Sequence, residues 1–303
     1  MRVIPPITVS ESLLTSSTIP EPDASVGEIE WEAYTSTKGD ERIVTSTHRV
    51  YEAVAATTDD PVTGAAKANP TWVDIGPTNK YAMFDDVVGT QSKANLSLVT
   101  DITPNQIVNS IAGFNIDGAT SVNVTVVSAS EGEVYNEDVA LQDNTAVVDE
   151  YSYFFSPIVN VTEFLLIDLP AYTDQTITTT ITGQGEIDAG VLAIGRQTYL
   201  GKSLYGSGWQ ALDYSRKERD DFGNFIIVPR TTTDRFEFDF AIEKRLFGYT
   251  KDLLKSLSTV PAIWAGTDTS GDGTVVYGYY TDASINIDTP SYISSSITIE
   301  GLI

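Results

Sequence analysis

The chain has 303 residues, enough for two or three domains that each bury a core, and it lacks cysteine, which excludes disulfides and thiolate metal sites. Its 42 acidic residues outnumber 18 basic ones, and the net charge of −24 repels phosphate backbones and anionic membranes. No stretch approaches the roughly 18 apolar residues of a membrane span, and the N-terminal MRVIPPITVSESLL does not resemble a signal peptide. We therefore expect no nucleic acid partner, no membrane insertion and no export by that route.

The composition predicts a mainly β fold. Thr, Val, Ile, Tyr and Ser are frequent and are interrupted by Gly, Asp, Asn and Pro, which is typical of short strands joined by turns. Residues 1–29 contain Pro5, Pro6, Pro20 and Pro22 and show little periodicity, so we interpret them as an extended arm that packs on something else. An arm of this kind suggests assembly.

Residues 30–83 are predicted to form a small β module. The strand-like pieces RIVTST and HRVYEAV are separated from later strands by a polar stretch. The segment WVDIGPTNKYAMFDD is interpreted as the last strand of the module, a Gly76–Pro77 turn, and a linker. We expect Tyr81, Met83 and Phe84 of this linker to pack the module onto the next domain, so that the segment is a junction.

Residues 84–198 are predicted to form a β-sandwich or jelly roll. Two runs place apolar or β-branched residues at every second position, as half-buried strands do: Val122, Val124 and Val126, and Ile177, Thr179 and Ile181.

Residues 199–303 are predicted to form an α+β domain. After the strand-like RFEFDFAI, helical spacing indicates one amphipathic helix that ends before Pro261 and includes Ile242, Leu246, Tyr249, Leu253, Leu254 and Leu257. The pieces VVYGYY, SINI and SSSITIEGLI are three further strand candidates. They predict that the C-terminus is tied into a sheet.

Catalytic patterns are weak. A Ser-His-Asp relay would have to use His48, the single histidine, but its surroundings read as a strand and no GxSxG motif is present, so a structural or surface role is favoured. Glycoside hydrolysis needs two carboxylates, and Asp59–Asp60, Asp85–Asp86 and Asp220–Asp221 leave it open, although such pairs are more typical of turns and solvated faces. The glycine pairs Gly183–Gly185 and Gly206–Gly208 lack the further glycines and the following helix of a phosphate-binding loop, so no nucleotide cofactor is expected.

One stretch resembles half of a calcium loop. Asp268, Ser270 and Asp272 alternate before Gly273, as oxygen ligands do at the start of an EF-hand. The position that requires a glutamate is occupied by Tyr279. A hairpin loop is therefore favoured over residues 268–273, with weak Ca²⁺ binding as the alternative and no other cofactor expected.

The aromatic residues of the first module are candidate sugar ligands. Trp31, Tyr34, Tyr51 and Trp72 flank a Gly-Asp turn, and flat aromatic faces either bind sugar rings or pack a small core. The order W-x2-Y-x4-G-D-x3-V-x6-Y, followed by Trp72, resembles the small chitin-binding modules of families five and twelve. The resemblance implies that some of these aromatic positions are core and that others meet the polysaccharide.

A wider resemblance covers much of the chain. The segments PTWVDIGPTNKYAMFDDVVGTQS, RQTYLGKSLYGSGWQALDYSRKERDDFGNF and YGYYTDASINIDTPSYISSSITIEGLI resemble structural proteins of tailed bacteriophages. This resemblance implies a non-enzymatic tail or baseplate component, made in the host cytoplasm and carried in the virion. It also implies a sugar-binding-like module, a galactose-binding-like jelly roll and a C-terminal domain that joins neighbouring subunits.

The expected partners are other tail proteins and copies of the chain itself, with host surface polysaccharide as a further candidate. Two alternatives stay open: a carbohydrate-binding adhesin and a glycan hydrolase. The densest charge cluster, residues 216–221, is either an inter-subunit contact or a solvated loop.

Overall fold

A computed structural model describes residues 1–143, 147–157, 159–219, 222–267, 273–287 and 292–302. Strands dominate these residues and helices are few and short, which confirms the mainly β fold class. Every ladder between two named strands in this part of the chain is antiparallel. Short turns can therefore join many of the neighbouring strands.

The strands are numbered in chain order. They are β1 (Arg2–Ile4), β2 (Leu14–Ser17), β3 (Glu41–Val44), β4 (Arg49–Ala53), β5 (Trp72–Pro77), β6 (Ser92–Ile102), β7 (Ser110–Ser128), β8 (Gly132–Ala140), β9 (Gln142–Asp143), β10 (Val159–Asn160), β11 (Phe164–Ile167), β12 (Gln175–Gly195), β13 (Thr198–Tyr199), β14 (Lys202–Ser203), β15 (Gly208–Asp213), β16 (Arg216–Arg219), β17 (Phe225–Val228), β18 (Thr232–Glu243), β19 (Ala262–Ala265), β20 (Val275–Asn286) and β21 (Tyr292–Gly301). The α-helices are α1 (Pro61–Ala65), α2 (Glu150–Phe155) and α3 (Phe247–Ser256).

These strands form three sheets and two separate hairpins. The central sheet has the order β11-β7-β12-β6-β2, with β8 also paired to β7. The C-terminal sheet has the order β13-β1-β19-β20-β21-β18-β14, with β15 also paired to β18. The small module is the sheet β3-β4-β5, and the hairpins are β9-β10 and β16-β17.

The central sheet bends around one core. Its long strands β7 and β12 lie side by side, and their register slips between Thr182 and the segment near Glu186. Residues on both sides of the slip, such as Val122 and Ile194, belong to one buried cluster. Gly118 is required at the bend, because a Cβ there would lie 2.0 Å from the carbonyl oxygen of Glu186. The residues predicted to line the inner face of β7 and β12 are all buried, which confirms both strands.

The C-terminal sheet packs on the outer face of the central sheet and completes a β-sandwich. The contact is a cluster of buried side chains from both sheets, and it includes Ile4, Phe114, Val191, Ile263 and Tyr277. The opposite face of the C-terminal sheet carries the phenylalanines of β18 and is covered by α3. One sheet therefore has apolar residues on both faces.

The N-terminal arm is part of this sandwich, where it packs on both sheets. β1 lies between β13 and β19, and the amino group of Met1 donates a hydrogen bond to the carbonyl oxygen of Gly201 at 2.7 Å. β2 pairs with β6 in the central sheet. The physical reason is alternation: Val3 and Ile4 are both fully buried, and they lie in the clusters on opposite faces of the C-terminal sheet.

The small module is built around Trp72. This side chain is fully buried, and its Nε1 donates a hydrogen bond to the carbonyl oxygen of Asp59 at 3.0 Å. The predicted Gly76–Pro77 turn was wrong, because both residues belong to β5. Gly76 lies opposite Val50 at a register slip and has a φ of 154°, so it serves a bulge in the strand.

The junction after β5 agrees with its prediction. Tyr81 stacks on the ring of His48 in the module, with the ring centroids 3.9 Å apart. Tyr81 and Met83 lie in the core cluster of the central sheet, and Phe84 packs against that cluster. The linker therefore fixes the module to the sandwich.

Two details of the C-terminal region differ from the sequence interpretation. β18 continues to Glu243, so Ile242 is a buried strand residue and α3 begins only at Phe247. The pieces VVYGYY and SINI form one strand, β20, because a register slip between Tyr280 and Asp282 keeps both pieces paired to β21. The predicted sheet at the C-terminus is confirmed, since β21 pairs with β18 and β20.

We expect Trp72→Ala to destabilise the small module by about 3 to 5 kcal/mol, because it leaves a cavity in a core with few other members. Tyr34→Ala is the matched control, since Tyr34 is 39% exposed, and it should cost less than about 1 kcal/mol. Urea unfolding, followed by tryptophan fluorescence and by circular dichroism, measures both changes. An unchanged midpoint for Trp72→Ala would contradict the core role.

Candidate functional site

Most of the aromatic residues predicted to bind sugar pack in the core of the module. Tyr51 and Trp72 are buried, and Trp31 packs against them from a half-buried position. Tyr34 keeps the most exposed ring, but the Arg42 guanidinium lies 5.3 Å above the ring centroid and its Nε donates a hydrogen bond to the Tyr34 hydroxyl. Tyr51 and Trp72 are therefore core residues, and a contact of Trp31 or Tyr34 with a polysaccharide stays a prediction.

His48 has structural partners. It lies in the turn between β3 and β4 with a φ of 55°, so its predicted place in a strand was wrong. Its Nδ1 lies 3.0 Å from both carboxylate oxygens of Glu21, and its ring stacks on Tyr81. These contacts bind the arm, the module and the linker to one another.

The predicted acid pairs within the described residues also have structural partners. Asp59 accepts a hydrogen bond from the Thr71 hydroxyl at 2.8 Å and pairs with Lys67, while Asp60 caps the N-terminus of α1. Asp86 accepts a hydrogen bond from the Tyr277 hydroxyl at 3.1 Å. Asp85 accepts a hydrogen bond from the Val87 backbone N–H at 2.9 Å, so each of these carboxylates takes part in local structure.

The remaining predicted sites fall elsewhere. The calcium candidates Asp268, Ser270 and Asp272, and the pair Asp220–Asp221, lie outside the described residues. Across the residues that are described, no cluster of three or more histidine, aspartate or glutamate side chains is arranged to hold a metal ion. In the same part of the chain, none of the helices combines the length and the apolar character needed to cross a membrane.

A groove of about 630 Å³ lies where the central sheet meets the C-terminal sheet. Thr162 and Glu163, just before β11, line one side, and β15 together with residues 231–234 lines the other. Phe114 and Tyr277 also line the groove, with stacked rings whose centroids are 5.7 Å apart. The groove therefore contains apolar walls with carboxylates at its rim, the usual make-up of a ligand site.

Glu163 is the most perturbed carboxyl group of the groove. Burial, and then repulsion from the Asp234 carboxylate, raises the pKa of Glu163 to about 7. Near neutral pH this group can therefore donate or accept a proton, beside an exposed second carboxylate. Sequence reasoning missed it, because an isolated glutamate after a polar stretch carries no pattern.

Trp209 is held at the edge of the same groove. Its Nε1 donates a hydrogen bond to Asp234 Oδ1 at 3.0 Å, and the side chain is nevertheless 61% exposed. An indole with a fixed orientation and a solvent-exposed surface is a stacking platform. The available signal was a tryptophan among polar neighbours in GSGWQALDY, which the sequence interpretation did not use.

The described residues 147–157 form a projection that we call the aromatic loop. It contains α2 and rises from the β9-β10 hairpin, and none of the residues of α2 is buried. Its four rings are between 70% and 75% exposed and belong to Tyr151, Tyr153, Phe154 and Phe155. The run EYSYFF was the sequence signal for this surface, and it was missed.

A second projection, which we call the basic hairpin, comprises residues 216–219 and 225–230. Its strands β16 and β17 pair only with each other. One strand is charged, RKER, and the other is apolar, FIIV, with side chains that are between 45% and 58% exposed. The described part of the charge cluster singled out in the sequence, residues 216–219, is therefore strand β16 of this hairpin.

We expect Glu163→Gln to change how stability depends on pH. Because the folded protein holds this proton more tightly than the unfolded chain, the stabilising effect is fully present below pH 4.5 and is lost as the pH rises through about 7. The variant should match the wild type near pH 5 and exceed its free energy of unfolding by about 2 kcal/mol near pH 8.5. Urea unfolding at both pH values measures this, and a pH-independent difference would contradict it. The exposed Glu237→Gln is the control.

Comparisons with known proteins supply no relative for this groove or for the two projections. No protein-family model, no curated protein and no solved structure matches the chain. A function for the protein therefore has to follow from the geometry of its own residues.

Proposed function

We propose that the protein is a non-enzymatic structural component of a bacteriophage tail or baseplate, which assembles with other virion proteins and with copies of itself. The observation that carries this proposal is the exposed apolar surface of the aromatic loop and the basic hairpin. Contiguous apolar surface of this kind marks sites of protein association. The resemblance of three long segments to tail proteins supports the virion as the place of assembly.

The basic hairpin is the stronger half of this argument. Phe225, Ile226, Ile227 and Val228 follow one another on β17, so apolar side chains point to both faces of a two-stranded ribbon. A ribbon of two strands without a core is marginally stable in water. Contact with another protein would bury these side chains and stabilise the ribbon.

The contacts that the polar residues make within the chain support a structural role. His48 is used to join Glu21 and Tyr81, and the described acid pairs cap helices or accept internal hydrogen bonds. These groups contribute to the stability of the fold. Catalytic residues would instead need to be free to contact a substrate.

We expect immunogold labelling to place the protein on the tail or baseplate of the virions encoded by the same genome. An antibody raised against the purified protein provides the label, and an antibody against a capsid protein provides the control. Purified protein should also show a light-scattering mass above that of one chain. Label confined to the soluble fraction of the lysate, with unlabelled particles, would contradict the proposal.

A second candidate function is carbohydrate binding, and the groove beside Trp209 is the observation that favours it. The exposed indole provides an apolar platform, while Asp234, Glu163 and the hydroxyls of Thr231 and Thr232 supply polar partners at the rim. Sugar rings have an apolar face and polar edges, so this combination suits them. The role is compatible with a tail protein that meets a host surface.

We expect Trp209→Ala to weaken binding of a recognised glycan by about tenfold or more, because the variant removes the stacking platform. Calorimetric titration with chitin oligomers and with mixed bacterial glycans measures the affinity. Tyr205→Ala is the control, since Tyr205 is fully exposed and does not line the groove. Equal affinity for Trp209→Ala and wild type would exclude this site, and release of reducing ends would favour the hydrolase alternative.

A further inference from the structure

The groove between the two sheets has an acidic lining. Glu163 and Asp234 both line it, whereas no lysine, arginine or histidine from the described part of the chain does. Arg230 and Arg235, the arginines that flank residues 231–234 in the sequence, lie outside the lining. A ligand that enters the groove therefore meets two carboxyl groups without a neighbouring basic side chain.

Both carboxyl groups have oxygen atoms that are open to a ligand. Asp234 Oδ1 accepts the indole N–H of Trp209 at 3.0 Å, and Asp234 Oδ2 has no hydrogen-bond or ion-pair partner among the described residues. Glu163 is half-buried, and its carboxyl group also lacks such a partner within residues 1–302 as far as they are described. A carboxylate that is partly removed from water and unpaired costs free energy, which a cation in the groove would offset.

The two carboxyl groups also repel each other. Burial, and then the charge of Asp234, raises the pKa of Glu163 to about 7. Tyr277 is the other ionisable residue of the described lining, and burial raises its pKa as well, so it stays protonated at neutral pH. An adjacent cation favours the ionised form of a carboxyl group. Below pH 7, a cation that binds beside Glu163 should therefore release a proton from it.

Trp209 adds an apolar platform next to these carboxyl groups. Its bond to Asp234 fixes the orientation of the indole, whose surface is mostly exposed. Thr162, Thr231 and Thr232 are exposed and line the groove with hydroxyl groups. The volume of about 630 Å³ lies within the roughly 300–1,000 Å³ of small-molecule sites. A fitting ligand therefore combines a cationic group, a flat apolar face and several hydroxyl groups.

A sugar with a free amino group has all of these features. A pyranose ring stacks its apolar face on an indole, its hydroxyl groups pair with threonine, and its protonated amine pairs with carboxylates. We propose that the groove binds a glycan of hexosamines with free amino groups, with an ammonium group beside Glu163 and Asp234 and a sugar ring on Trp209. The inference rests on the carbohydrate-binding function proposed above and names its ligand class.

Three tetrasaccharides that differ in a single substituent test this ligand class. The β-1,4-linked tetramers of glucosamine, N-acetylglucosamine and glucose carry an amine, an acetamide and a hydroxyl group at C2 of otherwise identical rings. Calorimetric titration of the full chain at pH 6, where the amine is largely charged, measures the three affinities. The glucosamine tetramer should bind about tenfold more tightly than either of the others, or better.

Asp234→Asn separates the effect of the charge from that of the platform. The Oδ1 atom of an asparagine can still accept the hydrogen bond from the Trp209 indole, so the ring keeps its orientation. The preference for the glucosamine tetramer over the glucose tetramer should fall below about threefold, while the affinity for the glucose tetramer stays within about twofold. Glu237→Gln is the matched control, because Glu237 is exposed on the same strand and lies outside the groove. An unchanged preference in Asp234→Asn overturns the proposal.

Proton release is a second readout, and it reports on Glu163. Titration of the glucosamine tetramer at pH 6, in two buffers with different heats of ionisation, measures the protons exchanged on binding. The wild type should release about half a proton more per bound ligand than Glu163→Gln does, because the ammonium group lowers the pKa of Glu163 and the variant has no proton to lose. Equal proton exchange in the two proteins would overturn the position of the amine beside Glu163.

The ligand class and the function on which it rests fail in different ways. If the three tetramers bind equally and Trp209→Ala weakens them all, carbohydrate binding stands and the recognition of an amine is wrong. If none of them binds, both the ligand class and the carbohydrate function are overturned at this site. A lysine tetramer that binds as tightly as the glucosamine tetramer, with no loss in Trp209→Ala, would overturn the sugar as the ligand. Immunogold labelling of virions tests the tail role independently of these outcomes.

Discussion

Asn79 joins three distant stretches of the chain, and the arrangement of the whole molecule depends on it. Its Nδ2 donates hydrogen bonds to Asp23 Oδ2 at 2.8 Å and to the carbonyl oxygen of Lys93 at 2.9 Å, and its Oδ1 accepts from the Lys93 N–H at 2.7 Å. Its backbone N–H donates to Glu28 at 2.6 Å, and its carbonyl oxygen accepts from Ser92. A buried amide whose donors and acceptors are all satisfied is specific, because any other arrangement leaves polar groups unpaired.

This junction has consequences far from Asn79. It anchors the end of the N-terminal arm beside β6, and the start of the same arm is β1, which lies in the C-terminal sheet. The arm therefore bridges the two layers of the sandwich, and Ile4 is buried between them. Because the layers are joined in this way, the groove between them is lined by residues with defined positions. Surfaces on a rigid scaffold lose little conformational entropy on binding.

The sequence predicted those elements whose signal is local and periodic. Alternation in β7 and β12 identified strands with one buried face, and helical spacing identified α3. The exact start of α3 was beyond local reasoning, because Ile242 satisfies the helical pattern but its pairing in β18 determines its conformation. The position of the N-terminal arm could not be predicted from the sequence either. Met1 and Gly201 are 200 residues apart in the chain, and local composition carries no signal for a contact over that distance.

In the candidate sites too, the sequence identified residue types and spacing, and the tertiary fold determined which residues are exposed. Trp31, Tyr34, Tyr51 and Trp72 were recognised by type and spacing, but burial decides whether an aromatic residue is a ligand or core, and burial is a property of the assembled sheet. Glu163 owes its raised pKa to neighbours that only the tertiary fold brings close. The aromatic loop could have been found from EYSYFF, because four rings in five residues next to an acidic cap exceed what a solvated turn needs.

The net charge of the chain and its exposed apolar surfaces act in opposite directions on association. Copies with a net charge of −24 repel one another at most orientations, which keeps them soluble and opposes indiscriminate contact between apolar surfaces. The exposed side chains of β17 and the rings of α2 are the apolar surfaces on which the proposed assembly rests. In the assembly that we propose, the high net charge keeps separate copies dispersed, and the exposed apolar surface supplies the free energy of association once a partner is in contact.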